Sequence, residues 1–206
     1  MKQTFNLILL SEQSYFEQII LQTRIYKFLW ELNFEYPKFS IWYNNLFFEQ
    51  GILKPNREIV VCMYQNILVG VSILKNDLLE KKICTLRVAR PYQNLGIGKA
   101  LMEKSFECLD DDKPLITIHI SKFHDFKNIF DRYGFKVEQE ILGCYGFLKS
   151  EIIYNGILEN DIENSDVTVK NKISYNLEKI LYNYDSTEKN IVVTDNRPLD
   201  LIVAKY

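Results

Sequence analysis

The order of segments along this 206-residue chain predicts a mixed α/β fold. Three observations carry the prediction. Residues 58–64 (EIVVCMY), 67–74 (ILVGVSIL) and 82–88 are consecutive runs rich in β-branched and apolar side chains, the first two separated by the turn-forming pair Gln65-Asn66. The stretch Leu86–Leu101, LRVARPYQNLGIGKAL, then reads as a buried strand, a Pro-marked exit, a loop with two glycines and the first turn of a helix. After it, helical and strand-like segments alternate to about residue 157.

Taken in order, residues 4–10 (TFNLILL) followed by Ser11 read as a first strand ending near a helix N-cap. From Ser14, Phe16, Ile19, Ile20, Tyr26, Leu29 and Trp30 approximate helical spacing. A second helix is predicted after Pro37, carrying Ile41, Trp42, Leu46 and Phe47 up to Gly51. Twelve of the 28 aromatic residues fall between Tyr15 and Phe48, which suits a helical layer on a sheet or the lining of an acceptor pocket. The helix after the glycine loop has apolar groups at 97, 101 and 108 and again at 102, 106 and 109, a wide buried face closed by Asp110-Asp111-Asp112. Leu115–Ile120 reads as a strand, Phe123–Tyr133 as a helix ending at Gly134, and Phe135–Leu142 and Ser150–Ile157 as two more strands around Gly143 and Gly146. Beyond 157, a polar stretch leads to a predicted helix with Val169, Ile173, Leu177, Ile180, Leu181 and Tyr184 on one stripe. Ile191–Val193 and Leu199–Ala204 then read as a hairpin. The division expected is a domain at 1–157 and a C-terminal extension at 158–206, packed on the core or on the second subunit of a homodimer.

Composition excludes several classes. An apolar content of 47% with a net charge of −2 is that of a globular chain and not of a disordered one. No apolar run approaches the roughly 18 residues of a membrane span, and no basic-then-apolar leader opens the sequence, so no membrane partner and a cytoplasmic location are expected. Cys62, Cys84, Cys108 and Cys144 sit singly in apolar surroundings without CxxC spacing, which predicts free thiols and no metal. Residues 51–150 carry 15 basic and 12 acidic side chains against 6 and 10 in 151–206. That mild bias suits an anionic cofactor, while the dense Lys/Arg clustering of a nucleic-acid surface is missing.

The glycine loop suits a phosphate group. The first amides of a helix have no partner within it, and the macrodipole adds roughly half a positive charge there. A Walker A loop fails, because Gln93 stands where its first Gly is required and Ala100 where Ser or Thr must follow Gly98-Lys99. A dinucleotide fingerprint fails as well, since Leu101 occupies the position of its third Gly. What remains is Gln93-Asn94-Leu95-Gly96-Ile97-Gly98, a Gln/Arg-x-x-Gly-x-Gly/Ala signal directly after an apolar strand.

This loop resembles the acyl-CoA pyrophosphate loop of the GNAT superfamily of N-acetyltransferases, and the element order from about residue 4 to 157 resembles that fold. Leu86-x-Val88 before the loop, Gly70 within the preceding strand and Phe130-Asp131-Arg132-Tyr133-Gly134-Phe135 match further family features. The resemblance implies a three-layer fold, with helices on both faces of a mixed sheet splayed between its fourth and fifth strands. It implies acetyl-CoA as co-substrate, its pantetheine arm paired with the backbone of Leu86 and Val88. Gln93 and Asn94 would shape the loop, and the amides of Leu95, Gly96, Ile97, Gly98, Lys99 and Ala100 would cap the pyrophosphate. The Lys99 ammonium meets a phosphate or is simply solvated.

The implied reaction is direct attack of a primary amine on the thioester. It requires a base for the amine proton, a strand amide near Val88 for the developing oxyanion, and an acid for the departing thiolate. Two positions depart from the family. Phe130 stands where a tyrosine is usual, leaving Tyr133 as the candidate acid or a core aromatic. Lys82 stands where histone-type members carry a glutamate, leaving Glu80, His124 and His119 as candidate bases or structural residues. Two functions therefore compete: an N-acetyltransferase acting on an amine of a small molecule, peptide or protein, and a catalytically weak acyl-CoA sensor.

Overall fold

The computed structural model describes residues 4–36, 38–142 and 150–157, and the backbone of 204–205. β1 (Asn6–Leu9) leads to α1 (Tyr15–Phe28), α2 (Leu32–Glu35) and α3 (Phe39–Asn44). The chain continues through β2 (Arg57–Tyr64), β3 (Ile67–Asn76), β4 (Lys81–Val88), α4 (Ile97–Leu109), β5 (Ile116–His119), α5 (Phe123–Tyr133), β6 (Val137–Leu142) and β7 (Ser150–Tyr154), and β8 is Ala204–Lys205. The expected order holds, with three helices instead of two ahead of β2. The predicted helix at 169–184, the strand at 191–193 and the loop glycines 143 and 146 lie outside the described residues.

Local chemistry explains the boundaries. A reciprocal capping box starts α1: the Glu17 amide donates to Ser14 Oγ at 3.4 Å and the Ser14 amide to the Glu17 carboxylate at 3.1 Å. The Ser14 hydroxyl also donates to that carboxylate, which holds the Glu17 pKa below the usual range. Gln65 (φ 46°) and Asn66 (φ 64°) make the tight β2–β3 hairpin with both central residues left-handed. The face that α1 buries differs from the predicted stripe. Leu21, Ile25 and the C-cap Leu29 point inward, whereas Phe16 is 75% exposed and Ile20 58%. The helix is apolar on several sides, so spacing alone does not choose among them. The choice falls with Gln18, buried because its amide group donates to Gln13 O and accepts from the Leu53 amide.

The strands form two sheets, ordered β1-β2-β3-β4-β8 and β5-β7-β6. Neighbours are antiparallel except β4 and β8, which run parallel. The sheets meet at one parallel rung, Lys82 with Leu115, where the Ile83 amide donates to Leu115 O (3.1 Å) and the Leu115 amide to Lys81 O (2.9 Å). Past that rung β4 and β5 part company. A bulge sits there too: Leu74 faces Ile83 and Ile73 faces Thr85, so Cys84 is the extra residue.

Side chains alternate across these sheets and build two cores. On one face α4 and α5 pack on Val60, Val69, Ile83, Leu86, Val88, Ile116 and Ile118. On the other, α1 to α3 pack on Ile59, Val61, Val71, Ile73 and Cys84. Helix α4 is seated closely on β3, for a Cβ on Gly70 would lie 2.9 Å from Leu101 Cδ1 and 3.1 Å from Ile97 Cγ2. Ser105 Oγ donates to Leu101 O and meets Ser72 Oγ at 2.9 Å across the same contact. Among the described residues, no helix is long and apolar enough to cross a membrane, and no group of three or more His, Cys, Asp or Glu is placed to hold a metal ion.

Candidate active site

The site begins where β4 ends. Arg90–Tyr92 forms one turn of 3₁₀ helix, and the Gln93 side-chain amide donates back to Val88 O at 3.1 Å, tying the loop to the strand it leaves. Asn94 (φ 61°) and Gly96 (φ 83°) both take left-handed backbone. Gly96 is the N-cap of α4 and offers no capping side chain, and the first turn contains no acidic residue. The Ala100 amide closes the first helical bond on Gly96 O (3.0 Å), so the amides of Ile97, Gly98 and Lys99 precede the hydrogen-bonded ladder. Gly98 is buried in that first turn. Lys99 projects outward, its ammonium 3.5 Å from Glu103. Leu95 is half exposed, and with Gly96, Ile97 and Ala100 it lines an open cavity of about 260 Å³ that reaches Phe5, Leu7 and Cys62. Such an arrangement fits an anion: amides outside the helical ladder, the positive end of a 13-residue helix and a glycine at its N-cap.

The strand below supplies the second half of the site. The Ala89 amide donates to Val69 O at 2.8 Å, so its backbone groups face β3. Along a strand these groups alternate in direction, hence those of Leu86 and Val88 face into the splay. Without the bulge at Cys84 this phase would be reversed, because Ile83, an odd number of residues earlier, also turns its amide toward β5. At Leu86 and Arg87 the same edge is paired with Ala204 and Lys205 of β8.

The candidate acid–base residues are spread out. Phe130 is sealed in the core, 4.6 Å from Tyr154 and 5.1 Å from both Phe126 and Phe135, measured between ring centroids. Tyr133 lies edge-on to Phe106 and donates its hydroxyl to Glu103 at 3.3 Å, linking α5 to α4. Burial, then the charge and hydrogen bond of Glu103, raises its pKa, so the hydroxyl keeps its proton. Glu80 binds Lys75 at 2.7 Å at the β3–β4 hairpin, about 17 Å along the strand from Leu86 at ~3.3 Å per residue once the bulge is discounted. His124 is exposed at the start of α5. His119 caps the turn at Ile120–Lys122, its Nδ1 accepting from the Ser121 amide at 3.2 Å.

Several polar groups on the splay, Lys82 apart, escaped the sequence reading. Lys82, Thr85 and Arg87 of β4 and Thr117 of β5 lie on the face opposite Ile83, Leu86, Ile116 and Ile118, the α1–α3 side. Lys82, Thr85 and Thr117 are fully buried. Arg87 bonds Glu31 at the start of α2 and lies over the Phe28 ring. Glu151, also fully buried, sits on β7 directly opposite His119. The available signal was period-two alternation: in Thr85-Leu86-Arg87-Val88 and Ile116-Thr117-Ile118 the polar residues share the face that the apolar ones leave.

Comparison with known proteins agrees with this architecture. Among solved structures, a putative acetyltransferase of the GNAT family from Desulfovibrio desulfuricans superposes with a TM-score of 0.52 at 13% identity, over 73% of this chain and 97% of that one. A putative streptothricin acetyltransferase from Bacillus anthracis, in complex with acetyl coenzyme A, gives 0.44 at 20% identity over 50% and 63%. The ribosomal-protein-S18-alanine N-acetyltransferase from Escherichia coli gives 0.44 at 17% identity over 49% and 68%. No curated relative matches the sequence. The family model described as an acetyltransferase (GNAT) domain matches residues 37–143, just over half of the chain and all of β2 to α5, and on that match the chain belongs to the GNAT acetyltransferase family.

Proposed function

We propose that this chain transfers an acetyl group from acetyl-CoA to a primary amine by direct attack, in the cytoplasm. The observation that carries the reading is the left-handed, uncapped glycine start of α4 standing at the mouth of the β4–β5 splay. In this reading the amides of Ile97, Gly98 and Lys99 hold the pyrophosphate, while the Leu86 backbone and the Val88 carbonyl hold the pantetheine arm by pairing. Acetyl-CoA supplies the thioester carbon that the amine attacks. The Val88 amide, turned into the splay, stabilises charge developing on the carbonyl oxygen. Tyr133, kept protonated, is the group assigned to give its proton to the departing sulfur, and the proton shed by the amine nitrogen restores it through solvent. Holding amine and thioester together in the narrow end of the splay supplies much of the remaining rate.

The test is calorimetric binding of acetyl-CoA, followed by thiol release against a panel of primary amines. Binding is expected, with loss of measurable affinity in Gly98→Trp, whose indole would fill the phosphate seat. No binding by any form of the chain that keeps the glycine start of α4 would overturn the proposal. Phe130 favours a second reading, an acyl-CoA sensor, since a sealed phenylalanine replaces the family's usual proton donor. Binding without thiol release on any amine would select that reading.

A further inference from the structure

The inner edge of β4 already carries a strand. Ala204 and Lys205 run parallel to β4 with Ala204 opposite Leu86 and Lys205 opposite Arg87, beyond the rung where β5 has departed. In that register the backbone groups of β4 turned toward β8 are those of Leu86 and Val88. These are the groups that the proposed function gives to acetyl-CoA. A backbone N–H or C=O that serves one extended chain is not open to another, so the two occupants exclude each other.

A second observation concerns the walls of the same splay. Among the described residues, Lys82 Nζ, Thr85 Oγ1, Arg87 Nη1 and Thr117 Oγ1 are buried with no hydrogen-bond partner, and the Glu80 carboxylate stands 3.9 Å from Lys82. All four belong to β4 or β5 and lie on one face. Buried polar groups are nearly always satisfied in a resting fold. Four such groups on the two strands that flank the splay are exceptions to that rule.

We propose that the C-terminal strand is a displaceable occupant of the acyl-CoA cleft, an intramolecular competitor that must leave β4 before the pantetheine arm can pair with Leu86 and Val88. The inference rests on the proposed function for the identity of the displacing ligand. It assigns the extension a role at the site, namely setting how much acyl-CoA is needed to open it. Apparent affinity is the intrinsic affinity reduced by the fraction of open molecules, so a tail closed nine-tenths of the time weakens binding about tenfold.

The experiment uses the full chain and its double variant Ala204→Pro/Lys205→Pro, which removes both amides of β8 without touching the cleft walls. Calorimetry with acetyl-CoA should give a dissociation constant at least about tenfold lower for the variant. Amide exchange followed by NMR should show Leu86 and Val88 protected in the unsubstituted chain and at least about tenfold faster in the variant, with β3 amides unchanged as proof of folding. Equal dissociation constants, or equally fast exchange at Leu86 and Val88 in both chains, would overturn the inference and leave the proposed function standing. Absence of acetyl-CoA binding in both chains would overturn the two together.

Discussion

At the residue scale, the glycine that starts α4 meets a backbone need. Gly96 is left-handed with nothing among the described residues within 4 Å of where a Cβ would sit, so its requirement is conformational. Gly96→Ala should therefore cost about 1–2 kcal/mol in urea unfolding, from backbone strain alone. Tyr133 is the residue on which catalysis turns in the proposed reaction. Tyr133→Phe removes one hydroxyl and leaves the ring against Phe106, so acetyl-CoA affinity should hold while thiol release falls about 100-fold. A rate within about threefold of the unsubstituted chain would take Tyr133 out of proton transfer.

At the scale of elements, the decisive contact is α4 on β3. Gly70→Ala places a methyl 2.9 Å from Leu101 and 3.1 Å from Ile97, and α4 has little slack because Ser105 fastens it to Ser72. The substitution should cost about 1–3 kcal/mol, read as a lower urea midpoint with an unchanged slope. It should also weaken acetyl-CoA binding, since the same shift moves the first turn of α4. Much at this scale was legible beforehand. β2, β3, β4 and α4 have strong apolar periods, and the Gln65-Asn66 turn and the glycine start of α4 are written in local chemistry. The inward face of α1 was not legible, because Phe16 and Ile20 are as apolar as Leu21 and Ile25. Only the sheet beneath distinguishes them.

At the scale of the whole molecule, two cores flank the sheets and each contains a buried tyrosine. Tyr43 is wholly buried, donates to Gln22 O at 2.8 Å and has its pKa pushed well up by burial. Tyr154 is raised by burial and then by Asp131, and the Cys62 thiol is pushed up to about 11 by burial. In each case the unfolded chain loses its proton at a lower pH than the folded one. Between the two pKa values the folded state holds more protons, so stability is intact below the ordinary value and falls as pH rises above it. The urea midpoint should hold to about pH 9 and then drop, at up to about 1.4 kcal/mol per pH unit for each buried tyrosine. Tyr43→Phe should flatten that drop, and a profile level to pH 11 would contradict the burial.

The sequence by itself determined the order of elements, the glycine turn at Gln93–Ala100 and the resemblance that the family match bears out, because each depends on residues near one another in the chain. Tertiary structure alone decided how far β4 and β5 stay together, which backbone groups of β4 face the splay and what lies against them. Those outcomes depend on one bulged residue, Cys84, on the single Lys82–Leu115 rung, and on two residues more than a hundred positions beyond β4. No local pattern records a pairing between strands so far apart, since the register is fixed only when the packed faces meet.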